Sequence, residues 1–491
     1  MRMSCFAVLC AACLVTDPRA LASGPGTELP WAAKPGRLRE RAPASLRLAA
    51  EQKGPSALDK ALEELPEEAP RAPAGLWTAQ TGSARLRLVD ISLDVLAAAG
   101  GSSASDGELQ NLQGGDHDPR KRGFTLQQVE LSFIGAVDPY LTGEAHLIYF
   151  LDPLEGESIF ELEEAFFTTQ SLPWGLQLEG GQFFTEFGAM NPVHPHAWDW
   201  MDQPVILNRL FGPDGLRGPG ARLGWLAPLP WFSEVHLGAQ NASGETMVSF
   251  LASEEVFEER PVGGRPFTDR SVENLGDLLY LARWVNSWDP SPEWTVKIGV
   301  SGLAGPNATG PEGRTWIYGA DLKSTWRPVK NFRGWPFVLL QAEVLKRDYE
   351  ADEFAGDDGL PSGEEENHAA LASLSSGEFQ EPESDAALPP VILRDWGLYA
   401  QALWGFRPRW AAGLRYEFAR GHRSGGLERS EDPFRDTRHR VSPLLVWQPT
   451  EYSRFRLQYN FDRASHLEGN DAHSVWVGAE FLYGAHPAHA Y

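Results

Sequence analysis

From Arg85 onward, apolar and polar residues alternate with a period of two, as they do in strands that present one apolar and one polar face. The pattern is clearest from Arg454 to Asp462. There Phe455, Leu457, Tyr459 and Phe461 point one way, while Arg454, Arg456, Gln458, Asn460 and Asp462 point the other. The same division sets Ile91, Leu93 and Val95 against Asp90, Ser92 and Asp94, and Val235, Leu237 and Ala239 against Glu234, His236 and Gln240. It recurs with Val296, Ile298 and Val300 against Thr295, Lys297 and Ser301, and with Trp410, Ala412, Leu414, Tyr416 and Phe418 against Arg415 and Glu417. A soluble sandwich shows such alternation once or twice. Its recurrence predicts an all-β fold, a transmembrane antiparallel up-and-down β-barrel over residues 84–491, with about sixteen strands (fourteen to eighteen). Past the first fifteen residues no apolar run approaches the roughly 18 residues that a spanning helix needs.

The connections support the same reading. Short ones fall at 135–140, 171–173, 227–230, 289–292, 407–409 and 448–451, most of them carrying proline, and long ones at 98–123, 185–218, 241–276, 348–394 and 421–438. Short periplasmic turns against longer outer loops are what an outer-membrane barrel requires. Trp174, Trp231, Trp294, Trp335, Trp404, Trp410 and Trp447 lie beside the short turns, which predicts an aromatic girdle at one membrane interface.

The amino-terminal residues add an address. Arg2, the apolar stretch Met3 to Val15 and Ala20-Leu21-Ala22 read as a signal peptide over residues 1–22, with a competing lipid-modified start at Cys13. All three cysteines fall in that segment, so disulfides and thiolate chemistry are excluded from the mature chain. Residues 23–83, rich in Pro, Ala, Glu and Arg, read as a flexible periplasmic segment with one short helix, Ser56 to Leu65. The expected location is the outer membrane of a Gram-negative-type bacterium.

Charge removes another class of function. The formal net charge is -24 and the pI near 4.9, which argues against nucleic acid as a partner. The acidic residues of the 348–394 connection read as a solvated outer loop. Inward strand faces carry Lys297, Arg415, Arg454 and Arg456 with Asp321, Glu343, Glu417 and Glu480, opposed charges that would line a wet lumen.

Candidate chemistry concentrates at Asn191 to Asp202, where two histidines and two carboxylates are followed by Arg209, Asp214 and Arg217. One reading is a loop near 185–217 folded into the pore, with His194, His196, Asp199, Asp202, Arg209, Asp214 and Arg217 at a constriction. The other is a divalent metal site of His194, His196, Asp199 and Asp202, although the spacing matches no closed structural zinc site. No nucleophile arrangement is recognisable, so no enzymatic activity and no cofactor other than such a metal is expected.

Two stretches carry a resemblance. Residues 124–143, then Glu164-Ala165-Phe166, Gly181-Gln182-Phe183 and Phe187-Gly188, resemble porins of the phosphate-selective type. The basic residue of that signature is Phe184 here and its proline is Glu186, so the resemblance implies barrel and pore, but not phosphate as solute. His194 to Asp199, Phe211 to Gly215 and His486-Pro487-Ala488-His489 also resemble a group labelled zinc-regulated, TonB-dependent outer-membrane receptors. That label implies coupled metal uptake, which needs a plug and about 22 strands, more than this chain can supply. The expected function is passive diffusion of small hydrophilic solutes or ions, with outer-membrane lipid as partner and a homotrimer as the assembly to test. A metal-linked receptor and a structural or adhesive surface barrel are the alternatives.

Overall fold

The structure is a computed structural model that describes residues 78–81, 84–87, 89–152, 156–354, 387–422 and 432–484. The expected signal peptide, the helix from Ser56 to Leu65, most of the acidic 348–394 connection and the 485–491 tail lie outside the described residues. Strands β1 (Thr78–Thr81) and β2 (Ala84–Arg87) pair only with each other, so the barrel sheet begins at Asp90 and not at 84.

Sixteen strands follow. They are β3 (Asp90–Ser102), β4 (Gly123–Ala136), β5 (Leu141–Leu151), β6 (Ser158–Thr169), β7 (Leu176–Phe184), β8 (Arg217–Leu226), β9 (Phe232–Asn241) and β10 (Leu278–Ser291). Then come β11 (Trp294–Pro306), β12 (Arg314–Trp326), β13 (Phe337–Ala351), β14 (Val391–Arg407), β15 (Trp410–His422), β16 (Arg438–Thr450), β17 (Ser453–Ala464) and β18 (Asp471–Gly484). Each pairs antiparallel with the next, and β18 pairs back onto β3 to close the barrel. Closure leaves no strand edge, the condition for strands to cross hydrocarbon.

Side chains are sorted opposite to those of a soluble protein. Leu414 is 54% exposed in the isolated chain, whereas Arg415 beside it is 1% exposed. Leu237, Ile298, Val300, Leu457, Val475 and Val477 likewise face outward, while Arg456, Gln458 and Asn460 are buried inward. Only lipid outside makes that arrangement favourable, so the chain is a membrane-spanning barrel of the outer-membrane type. Trp174, Trp231, Trp294, Trp404 and Trp447 are exposed at the turn-bearing rim, with Trp410 and Trp447 stacked at 5.9 Å. Trp335 departs from the girdle: it is half-buried, lies 4.9 Å from Phe337 and joins an inner cluster with Trp200, Leu339 and Leu403.

All long connections leave from the end opposite this rim, but short ones leave there too, at 152–157, 307–313 and 465–470. The alternation is also broken on β6 and β4. The register shifts between His146 and Leu147, so that Glu163 and Glu164 are both buried on β6. A matching shift between Leu96 and Ala97 buries both Gln127 and Gln128 on β4. Such bulges re-aim side chains toward the interior.

Candidate functional site

The segment 185–216 joins β7 to β8 and packs on the inner face of strands all round the barrel. It leaves the wall at Phe187-Gly188. Gly188 has φ +67, and a Cβ there would meet Glu343 Oε2 at 2.1 Å, so the turn away from β7 requires glycine. The Gly188 and Ala189 amides donate to Ser301 Oγ (3.3 Å) and Glu343 Oε1 (3.1 Å). Further along, a short helix α1 (Val205–Phe211) starts after Pro204 and ends at Gly212, whose φ of +87 breaks the helical path. Every residue of α1 is buried, because Ile206, Leu207, Leu210 and Phe211 pack among Phe187, Leu281, Leu303, Ile317 and Leu345. Burial of each such side chain contributes about 1.5–3 kcal/mol, enough to fix the segment against the wall.

Polar anchors complete the docking. Asp202 accepts from Arg440 Nη1 (2.8 Å), Gln458 Nε2 (2.8 Å), Asn460 Nδ2 (2.9 Å) and Gln113 Nε2 (3.2 Å), and it pairs with Arg415. The Val205 amide donates to Glu417 (2.7 Å), which also pairs with Arg415 Nε at 2.7 Å. Arg456 donates to the carbonyls of Trp198 (3.0 Å) and Trp200 (3.2 Å). Arg454 joins Glu480 to the His196 carbonyl. Arg209 pairs with Asp436 at 2.6 Å. Arg217 pairs with Asp214 and Glu161, and Asp214 also meets His117 at 2.9 Å.

Most inner-face charges named from sequence are therefore engaged as anchors or wall pairs, and do not stand as free opposed rows. Asp321 pairs with Arg283 at 2.7 Å, and Glu343 accepts from Tyr399 Oη at 2.6 Å. Lys297 is different. It is exposed on the inner face opposite Lys323. Lys323 lines a cavity of about 60 Å³ with Asp199, Trp198, Gln341, Gln401 and Arg454. Gln401 is buried there, and neither end of its amide has a hydrogen-bond partner among the described residues.

The proposed metal quartet needs correction. His194 and His196 come together, but Asp202 is held by Arg415 and Arg440, and Asp199 faces the cavity. The carboxylates that do meet the imidazoles are Glu130 from β4 and Glu163 and Glu164 from β6. Sequence reasoning missed these three, and also His146, which reaches Glu130 at 3.2 Å. The available signal was the adjacent like pairs Glu163-Glu164 and Gln127-Gln128, each breaking a strand that otherwise alternates.

No protein-family model matches the chain. It is 27% identical over 447 residues to an uncharacterized protein of Aquifex aeolicus (strain VF5), covering 85% of this chain and 83% of that one. Solved structures to which it is similar include an outer-membrane channel and a porin. The channel DcaP of Acinetobacter baumannii aligns at TM-score 0.49 and 10% identity, over 80% of this chain and 97% of that chain. Pseudomonas putida OprB aligns at 0.47 and 10%, over 81% and 94%. An anion-selective porin from Comamonas acidovorans aligns at 0.44 and 9%, over 81% and 98%.

Proposed function

We propose that the barrel is a porin-type channel for passive diffusion of small hydrophilic solutes or ions, narrowed by segment 185–216 to a polar opening beside β12 to β14. The observation that carries this reading is the cavity between the segment and the wall. Asp199 and Trp198 face it from the segment, and Lys323, Gln341 and Gln401 face it from the strands. Its charges and amides suit a hydrated solute, and a closed apolar outer surface offers no other polar route across the membrane.

Single-channel recording in planar bilayers tests it. Folded protein should give discrete conductance steps, and deletion of residues 189–215 should raise the step size several-fold. Lys323→Glu should move the reversal potential in a salt gradient toward cation preference, because it replaces a positive charge at the opening with a negative one. Absence of steps from folded wild-type protein would leave a structural surface barrel as the better account. An unchanged reversal potential would show that solute does not pass Lys323.

A further inference from the structure

Beneath the His194-Pro195-His196 turn, a group of ligand-type atoms converges from three chain segments. Glu130 Oε2 lies 2.7 Å from His196 Nδ1 and 3.4 Å from His194 Nδ1. His194 Nδ1 lies 2.9 Å from Glu163 Oε2. Glu163 is fully buried, yet neither of its oxygens has a hydrogen-bond partner among the described residues, and neither does His194 Nδ1. The two form a buried ion pair, and Glu163 Oε1 is left without a partner. A burial site of this kind is costly unless something else occupies the lone pairs.

We propose that Glu130, His194 and His196 form a binding site for a divalent transition-metal ion of the zinc class, which fastens segment 185–216 to strand β4, with Glu163 beside His194. Three protein ligands with the fourth position open to water is an arrangement zinc takes, and ligands at zinc distances in a tetrahedron stand about 3.3 Å from one another. Glu130 Oε2 stands 2.7 Å from His196 Nδ1 and 3.4 Å from His194 Nδ1, and one ligand atom from each of the three residues lies within 4.8 Å of the others. Two imidazole nitrogens with one carboxylate favour zinc-class ions over calcium or magnesium, which take oxygen donors.

The surroundings match what a metal-bound imidazole needs. His194 Nε2 is 2.8 Å from Glu164 Oε2, a contact that would hold the ring proton on Nε2 once an ion displaced the proton of Nδ1. The outer oxygen of Glu130 accepts from Ser132 Oγ at 2.7 Å and meets His146 Nδ1 at 3.2 Å, which fixes the carboxylate. The β6 bulge turns both Glu163 and Glu164 inward, where they meet the two nitrogens of His194. The site is independent of whether the barrel conducts.

Zinc titration of the full-length folded barrel in detergent, followed by calorimetry and elemental analysis after dialysis, is the test. One tightly held zinc per chain is expected. Glu130→Gln and His196→Gln should each abolish it, Glu164→Gln should weaken it by about 10–100-fold, and His473→Gln outside the cluster should leave it intact. The heat-modified mobility of the folded barrel on gels confirms that each variant has closed. Calcium should not compete. Zinc binding that survives both first substitutions, no bound zinc in wild-type protein, or equal binding of calcium would each overturn the proposal. A barrel that binds zinc but passes no current would refute the channel reading alone.

Discussion

Asp202 illustrates what keeps a carboxylate ionised inside this barrel. Burial would raise its pKa, but the charges of Arg415 and Arg440 outweigh that and hold it below the usual carboxylate range. Removing it leaves two buried guanidinium groups without their shared counter-ion, which typically costs about 3–5 kcal/mol. Asp202→Ala should therefore lower the urea midpoint of the folded barrel substantially, whereas Asp199→Ala, beside the cavity, should shift it little. Equal midpoints for wild type and Asp202→Ala would show that the network does not hold the segment. Asp202 itself was legible as a special residue, but its role was not. Its arginine partners lie 213 and 238 positions later, and only barrel closure brings them across.

Connections between strands carry a second level of organisation. The 103–122 connection, with its helix α2 (Asp106–Leu112), lies on the same segment: His117 Nε2 meets Asp214 Oδ1 at 2.9 Å, and Gln127 Nε2 donates to the carbonyls of His117 and Met201. Burial would lower the His117 pKa, but the hydrogen bond and charge of Asp214, with the nearby Glu163 and Asp116, raise it to about 9. A histidine raised above its ordinary value of about 6.5 adds stability that is complete below that value and lost as pH rises through about 9. Proteolysis of the 103–122 connection should thus accelerate between pH 7 and pH 10 in wild type. In His117→Gln it should be rapid already at neutral pH and nearly flat across the range. A parallel rise in both proteins would assign the effect to something other than this pair. Strand limits and long connections were legible because turn residues and alternation mark them. The helix Val205–Phe211 was not, since a helix buried on every side has no amphipathic period to read. The bulge on β6 was equally hidden, because alternation assumes an unbroken register.

At the scale of the whole molecule, the strand count was legible for the reason that makes the barrel stable. Each strand must carry an apolar face to lipid and a polar face to the lumen, so the period-two pattern repeats sixteen times in the structure. What fills the lumen was less legible, because inner-face charges look alike in sequence whether they face water or anchor a folded-in segment. The outer face gives the sharper test. Leu414 stands four residues above the Trp410 rim on β15 and is 54% exposed, which places it in the hydrocarbon band. Leu414→Arg should destabilise the barrel in lipid by about 2–4 kcal/mol. Gln177→Arg, on the exposed polar inner face of β7, should stay within about 0.5 kcal/mol of wild type, since it keeps its charge in water. Reversible unfolding of both variants in the same lipid vesicles measures the difference directly. If the two substitutions cost the same, the apolar band would not be facing lipid, and the assignment of inside and outside would have to be exchanged.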